Sequence, residues 1–248
     1  MGSDRDDPIV LITGATDGLG RALADELAAD GVHVVRHGRA DADLGSLAEV
    51  RGYAERIYDE HDRLDVLVNN AGIGQAGPRE ESADGYELRF AVNYLAGYLL
   101  TRLLVPLLVR SEPARVVNVS SAGQVPIDFD DVLLEHSYSG VQAYCQSKLA
   151  QVMFTFDLAE ELRDSGVTVN ALHPATFMPT KMVFQAGASP MSSLEEGVEA
   201  TRRLVDGPEL EGVTGRYFDG LSEARAHPQA YRAEARRALR ELSEELTA

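Results

Sequence analysis

The sequence predicts a single-domain α/β fold, a doubly wound parallel sheet covered by helices on both faces. Three observations carry this. Short apolar runs alternate with segments of helical spacing along the chain. The first run ends in a glycine-rich turn that opens directly into a helix. No repeat, low-complexity tract or linker divides the 248 residues, a length that suits one such domain.

The elements follow in order. Residues 8–13, PIVLIT, form an apolar run that reads as a buried parallel strand. Leu19, Leu23 and Leu27 then recur at helical spacing over 18–30, and Gly31 stops that helix. VHVV (32–35) is a second strand, 45–60 a helix and LDVLVNN (64–70) a third strand. Residues 84–109 make a long apolar helix with Asn93 in its middle. RVVNVSS (115–121) is a strand, 122–143 a long connection rich in Pro, Asp, Ser and Gly, and 143–166 a helix closed by Gly166. A strand at 167–174, a helix at 195–205, a short strand at 215–218 and a charged helix at 228–246 complete the chain. Between VHVV and LDVLVNN there is room for one helix, where a doubly wound dinucleotide fold places helix, strand and helix. The missing strand is the outermost on that side, so its loss spares the inner sheet. ADADL (40–44) is its candidate remnant.

Composition bounds the partners. Hydrophobic residues make up 44% and charged residues 25%, as in an ordinary globular protein. A net charge of −17 argues against nucleic acid and anionic membranes. The acidic start does not read as a secretory signal, and no run is read as long enough to span a membrane. The single cysteine, Cys145, allows no intrachain disulfide. The chain is therefore expected to be cytoplasmic. No metal is expected.

The turn Thr13-Gly14-Ala15-Thr16-Asp17-Gly18-Leu19-Gly20 lies between the first strand and the first helix. Its glycines let the backbone approach a pyrophosphate, and the helix start offers free N–H groups to the anion. A carboxylate at the tip of the second strand would bind ribose hydroxyls and favour NAD. The strand instead ends VVRHGR, and Arg39 can pair bidentately with a 2′-phosphate. This favours NADP(H), with NAD(H) the lesser alternative. Tyr144 and Lys148, four residues apart, sit about 40° apart on one helix face. A nearby ammonium favours the phenolate and would tune the tyrosine toward proton transfer near neutral pH. Ser120 and Ser121 close a parallel strand, where a hydroxyl can hold a substrate oxygen or merely cap a turn.

Together TGATDGLG (13–20), NNAG (69–72), Asn93, NVSS (118–121), YCQSK (144–148) and HPA (173–175) resemble the short-chain dehydrogenase/reductase family over nearly the whole chain. The run from RVVNVSS to NALHP is most similar to the branch holding retinol dehydrogenases, the WW-domain oxidoreductase and protochlorophyllide reductases. The resemblance implies a Rossmann-like cofactor half over 8–121, the connection 122–143, and a catalytic helix, substrate lid and C-terminal helix over 144–248. It implies Tyr144 as proton donor and acceptor, Ser121 as the substrate-holding serine, and Lys148 on the nicotinamide ribose. Asn93 would kink its helix and anchor a proton-relay water. Gly14, Thr16, Asp17, Gly18, Leu19 and Gly20 would cradle the cofactor phosphates. Asn70, Ala71 and Gly72 would pass beneath the adenosine ribose, Asp43 and Leu44 would flank adenine, and Pro174 and Thr176 would lie near the carboxamide. Met178, Met182, Val183, Phe184 and Met191 make 175–194 an apolar lid suited to an apolar substrate. The implied activity is NADP(H)-dependent interconversion of a carbonyl and an alcohol on a small molecule. The alternatives are a cofactor-binding sensor or scaffold without turnover, and an NADPH-dependent carbon–carbon double-bond reductase. Pairing of the helices 84–109 and 144–163 between copies would give a homodimer or homotetramer.

Overall fold

The computed structural model describes residues 8–248. Seven strands form one sheet in the order β2-β1-β3-β4-β5-β6-β7. They are β1 (Ile9–Ile12), β2 (His33–Arg36), β3 (Val66–Asn69), β4 (Ala114–Val119), β5 (Val167–His173), β6 (Arg216–Asp219) and β7 (Ser222–Glu223). All pairings are parallel except β6 with β7. The order reverses between β1 and β3, so the crevice beyond their carboxyl ends is the binding crevice of such sheets.

Helices cover both faces. On one side α1 (Gly18–Ala29) and α6 (Leu194–Asp206) bury Leu19, Leu23, Leu27, Val198 and Leu204 against Val10, Ile12, Val68 and Val119. On the other, α2 (Leu47–Glu60), α3 (Leu88–Arg110) and α4 (Gly140–Glu161) bury Val50, Ile57, Leu100, Leu104, Leu149 and Val152 against Leu11, Leu67 and Val116. Leu11 thus faces one core and its neighbours Val10 and Ile12 the other, the period-2 alternation of a strand buried on both sides.

The region after β2 is short, as the spacing predicts, and β2 is the sheet edge. ADADL adds no strand. It forms turns that bury Ala42 and Leu44 in the α2–α4 core, so it fills the missing strand's packing space without its hydrogen bonds. Helix α3 starts later than residue 84, because Glu87 caps it by accepting from the Phe90 N–H at 2.7 Å. The charged helix at 228–246 is a short turn followed by α7 (Ala233–Leu246). Two elements were not read from sequence: β7 and the short lid helix α5 (Lys181–Gln185).

One expectation needs correction. Helix α3 is long and apolar enough to cross a membrane by length and composition, whereas no such run was read. Leu95, Leu100, Leu104 and Leu107 on it are fully buried, which accounts for its apolar composition as a core helix. The face of α3 and α4 expected to pair two copies is covered by α7 of the same chain. Tyr94 and Ser243 share a 2.7 Å hydroxyl bond there, and Arg240 pairs with Asp157 at 2.7 Å.

Candidate active site

The glycine loop is built as the sequence predicts. Gly14 and Gly18 take positive φ, 66° and 52°, which other residues adopt only at a cost. A Cβ on Gly20 would collide with the Asn70 side chain and the Gly14 carbonyl. Asn70 closes this junction, donating its amide to Thr13 O at 2.8 Å and Gly14 O at 3.2 Å. Thr13 Oγ1 accepts from the Asn70 and Ala71 N–H groups, both at 3.0 Å. The loop and the end of β3 are therefore one unit. Asp17 caps α1 by accepting from Gly18 N at 2.7 Å, and Thr16 is exposed beside it. Leu19 is instead buried in the core of α1.

The site residues fit a dinucleotide. The start of α1 presents first-turn N–H groups without helical partners, on a loop kept bare by glycine. Leu44 lines one small cavity with Thr13, Ala71 and Asn93, so the shortened segment does reach the NNAG turn. Asp43 is committed locally: its carboxylate accepts from Gly45 N at 2.8 Å. Arg39 is exposed just beyond β2, with no partner among the described residues.

The four catalytic candidates converge at the carboxyl ends of β3 and β4. Two serines end β4, and the fold separates their jobs. Ser120 is buried and donates to the Lys148 carbonyl at 2.7 Å, tying β4 to α4. Ser121 turns outward: its Oγ accepts from Gly123 N at 3.1 Å and lies beside the Tyr144 phenol. Its carbonyl is fixed by the Tyr217 hydroxyl at 3.0 Å and the Gln124 amide at 2.8 Å. One turn along α4, Lys148 Nζ lies 5.8 Å from the Tyr144 ring centre. It donates to Val119 O at 2.9 Å and Gln151 Oε1 at 3.0 Å.

Asn93 sits in a π-helical turn, Ala91–Leu95, that breaks the regular winding of α3. Its Oδ1 accepts from Ile73 N at 2.7 Å, and its amide donates to Ile73 O and Ser147 Oγ. Asn93 thus clamps the segment that follows Gly72. A Cβ on Gly72 would stand 3.2 Å from Asn93 Oδ1 and 3.6 Å from Lys148 Nζ, so this glycine lets the turn pass between them.

Electrostatics differ from the sequence expectation of a tyrosine tuned downward. Burial pushes the Tyr144 phenol up, and the Ser121 hydrogen bond only partly offsets this. Burial also pushes Lys148 down from 10.5 to about 7. Lys148 points to a carbonyl and an amide, neither carrying charge, so nothing there repays the desolvation of its ammonium.

The lid lies across the crevice. Thr180 packs on Gly18, 3.3 Å from where a Cβ would be, and Met182 packs on Gly74. Phe177, Phe184 and Met191 are exposed. Pro174 is buried after β5, and Thr176 shares a 3.0 Å bond with His173 Nε2. Sequence reasoning missed Ser147 and Gln151, although both share the helix face of Tyr144 and Lys148 by spacing. It also missed His37, whose Nδ1 accepts weakly from Gly14 N at 3.4 Å; no local pattern marks it.

Comparison with known proteins agrees with this fold. The short chain dehydrogenase family model matches residues 8–49 and 39–189, in two pieces that meet where the chain is short. Human retinol dehydrogenase 13 is 36% identical over 93% of this chain and 81% of its own length. A 3-alpha-hydroxysteroid dehydrogenase from Pseudomonas sp. B-0831, solved with NADH, superimposes with a TM-score of 0.73 at 25% identity, covering 86% of this chain and 95% of that one. The RhlG/NADP active-site complex of Pseudomonas aeruginosa gives 0.65 at 25% identity, with 86% and 94% covered.

Proposed function

Because the chain belongs to the short-chain dehydrogenase family and is an NAD(P)-dependent oxidoreductase of it, we propose that it interconverts a carbonyl and an alcohol on an apolar small molecule, with NADP(H) as the favoured cofactor. The observation that carries this reading is the Ser121–Tyr144–Lys148 cluster at the strand ends, beside the glycine loop.

A bound nicotinamide cofactor supplies or accepts the hydride. The protein's own residues do the rest. Ser121 holds the substrate oxygen by a hydrogen bond that strengthens as charge develops there. Tyr144, with its phenol pushed up, stays protonated through neutral pH and donates its proton to that oxygen in reduction. In the opposite direction the phenolate must accept the proton, so alcohol oxidation is expected to rise with pH. Lys148 would hold the nicotinamide ribose, and Asn93 keeps the turn after Gly72 in place. The lid methionines and Phe184 suit an apolar substrate, as does the likeness to proteins named retinol dehydrogenases.

Stereospecific transfer of deuteride from labelled NADPH to a panel of apolar aldehydes and ketones tests the reading. Transfer to at least one member is expected. Tight cofactor binding with transfer to none would overturn it.

A further inference from the structure

Ser121 is held from its backbone side by residues that are not among the catalytic candidates. Its carbonyl accepts two hydrogen bonds, one from the Tyr217 hydroxyl at 3.0 Å and one from the Gln124 amide at 2.8 Å. Tyr217 reaches it from β6 across β5. In register, Ala171 of β5 lies between Asn118 of β4 and Tyr217 of β6. Ala171 and Tyr217 are buried in the same core, so a methyl at 171 leaves the ring room to cross toward the end of β4. Burial pushes the Tyr217 phenol up, and it therefore stays protonated as a donor.

Gln124 is fixed in turn. Its Oε1 accepts from His227 N at 2.8 Å. Ile127 then exchanges two bonds with the Gln229 side chain, its N–H donating to Oε1 at 2.7 Å and its carbonyl accepting from Nε2 at 2.9 Å. The start of the long connection is thus fastened to the segment that follows β7.

The consequence falls on the Ser121 hydroxyl. A hydroxyl has one proton and two lone pairs. Ser121 Oγ accepts from Gly123 N at 3.1 Å, so one lone pair is taken and the proton is left to donate. The pinned carbonyl belongs to the rigid peptide plane that leads to Ala122. Turning that plane would carry Gly123 N away from Oγ and release the hydroxyl. Both Tyr217 and Gln124 bond the backbone, so they act through Ser121.

We propose that Tyr217 and Gln124 are positioning residues for Ser121, pinning its carbonyl so that its hydroxyl keeps its proton aimed at the substrate oxygen. The proposal rests on Ser121 as the substrate-holding serine and names what aims it.

The test is a double-mutant cycle on the intact protein, with NADPH and the apolar carbonyl of the panel that it reduces fastest. Tyr217→Phe keeps the ring and removes only the hydroxyl. It should lower kcat about fivefold, the weight of one ordinary hydrogen bond, with KM and the NADPH Kd unchanged. Gln124→Leu should act in the same direction, and the two together should cost more than either. In a Ser121→Ala background Tyr217→Phe should have no further effect, because no hydroxyl is left to aim. A merely structural role would lower the melting temperature and slow both backgrounds alike. An unchanged kcat in Tyr217→Phe, or an equal loss with and without Ser121, would overturn the proposal. If Ser121→Ala itself turns over at the parental rate, the serine assignment fails and takes the positioning residues with it. If Ser121→Ala slows turnover while Tyr217→Phe does not, the positioning assignment alone fails.

Discussion

Tyr144 and Lys148 show how burial changes what a residue pair can do. The spacing puts them on one helix face, and the environment then sets their charge. Tyr144→Phe removes the phenol that stands beside Ser121 as the proposed acid. It should cost at least about a hundredfold in kcat, with the cofactor Kd unchanged; unaltered turnover would exclude Tyr144 as the acid. Lys148 gives a pH prediction. Its folded pKa, about 7, lies below its ordinary 10.5. Below pH 7 the folded protein carries a buried ammonium, and the full desolvation cost applies. Between about pH 7 and pH 10.5 the unfolded chain binds more protons than the folded one, so stability rises with pH. Lys148→Met should therefore be more stable than the parent at pH 6 and lose that advantage by pH 10, measured by urea midpoints. A difference independent of pH would contradict this.

Elements carry these residues by caps and clamps that sequence marks unevenly. Ser193 and Glu196 form a reciprocal capping box at the start of α6, the S-x-x-E pattern that needs no tertiary partner. Ser193→Ala should cost about 1 kcal/mol in urea unfolding. The same helix carries Gly197, on which the lid residue Met178 packs, so the KM for substrate should rise along with the loss of stability. The π-helical turn of α3 is different. It is fixed by the Asn93 bonds to Ile73 and Ser147, which come from a loop and another helix. Only the family resemblance pointed to it in advance.

At the scale of the molecule, the α3–α4 face is occupied. Pairing of two copies through it would have to displace α7, with its Tyr94–Ser243 bond and the Arg236 and Arg240 pairs to Asp157. Sedimentation at micromolar concentration is expected to give the mass of one chain. The sheet also ends at β2, where relatives of this fold type add an outer strand. The core stays closed there because Ala42 and Leu44 pack under α2 and α3. Leu44→Ala should cost about 2–5 kcal/mol in unfolding free energy, the range for truncating a buried leucine; a loss within 0.5 kcal/mol would show that the segment does not seal the core.

Read in line, the residues specify the doubly wound class, the glycine loop, the shortened segment and the catalytic helix. Each rests on local periodicity, on turn chemistry or on residue spacing along one helix. Of two adjacent serines the family resemblance already pointed to Ser121, and where β4 ends against α4 is what buries Ser120 and leaves Ser121 beside Tyr144. Tertiary structure alone pushes the Lys148 pKa down to about 7, since burial is not a property of neighbours in sequence. It also brings the Tyr217 hydroxyl to the Ser121 carbonyl, 96 residues away in sequence. Strand pairing through β5, and not the order of the residues, makes that contact.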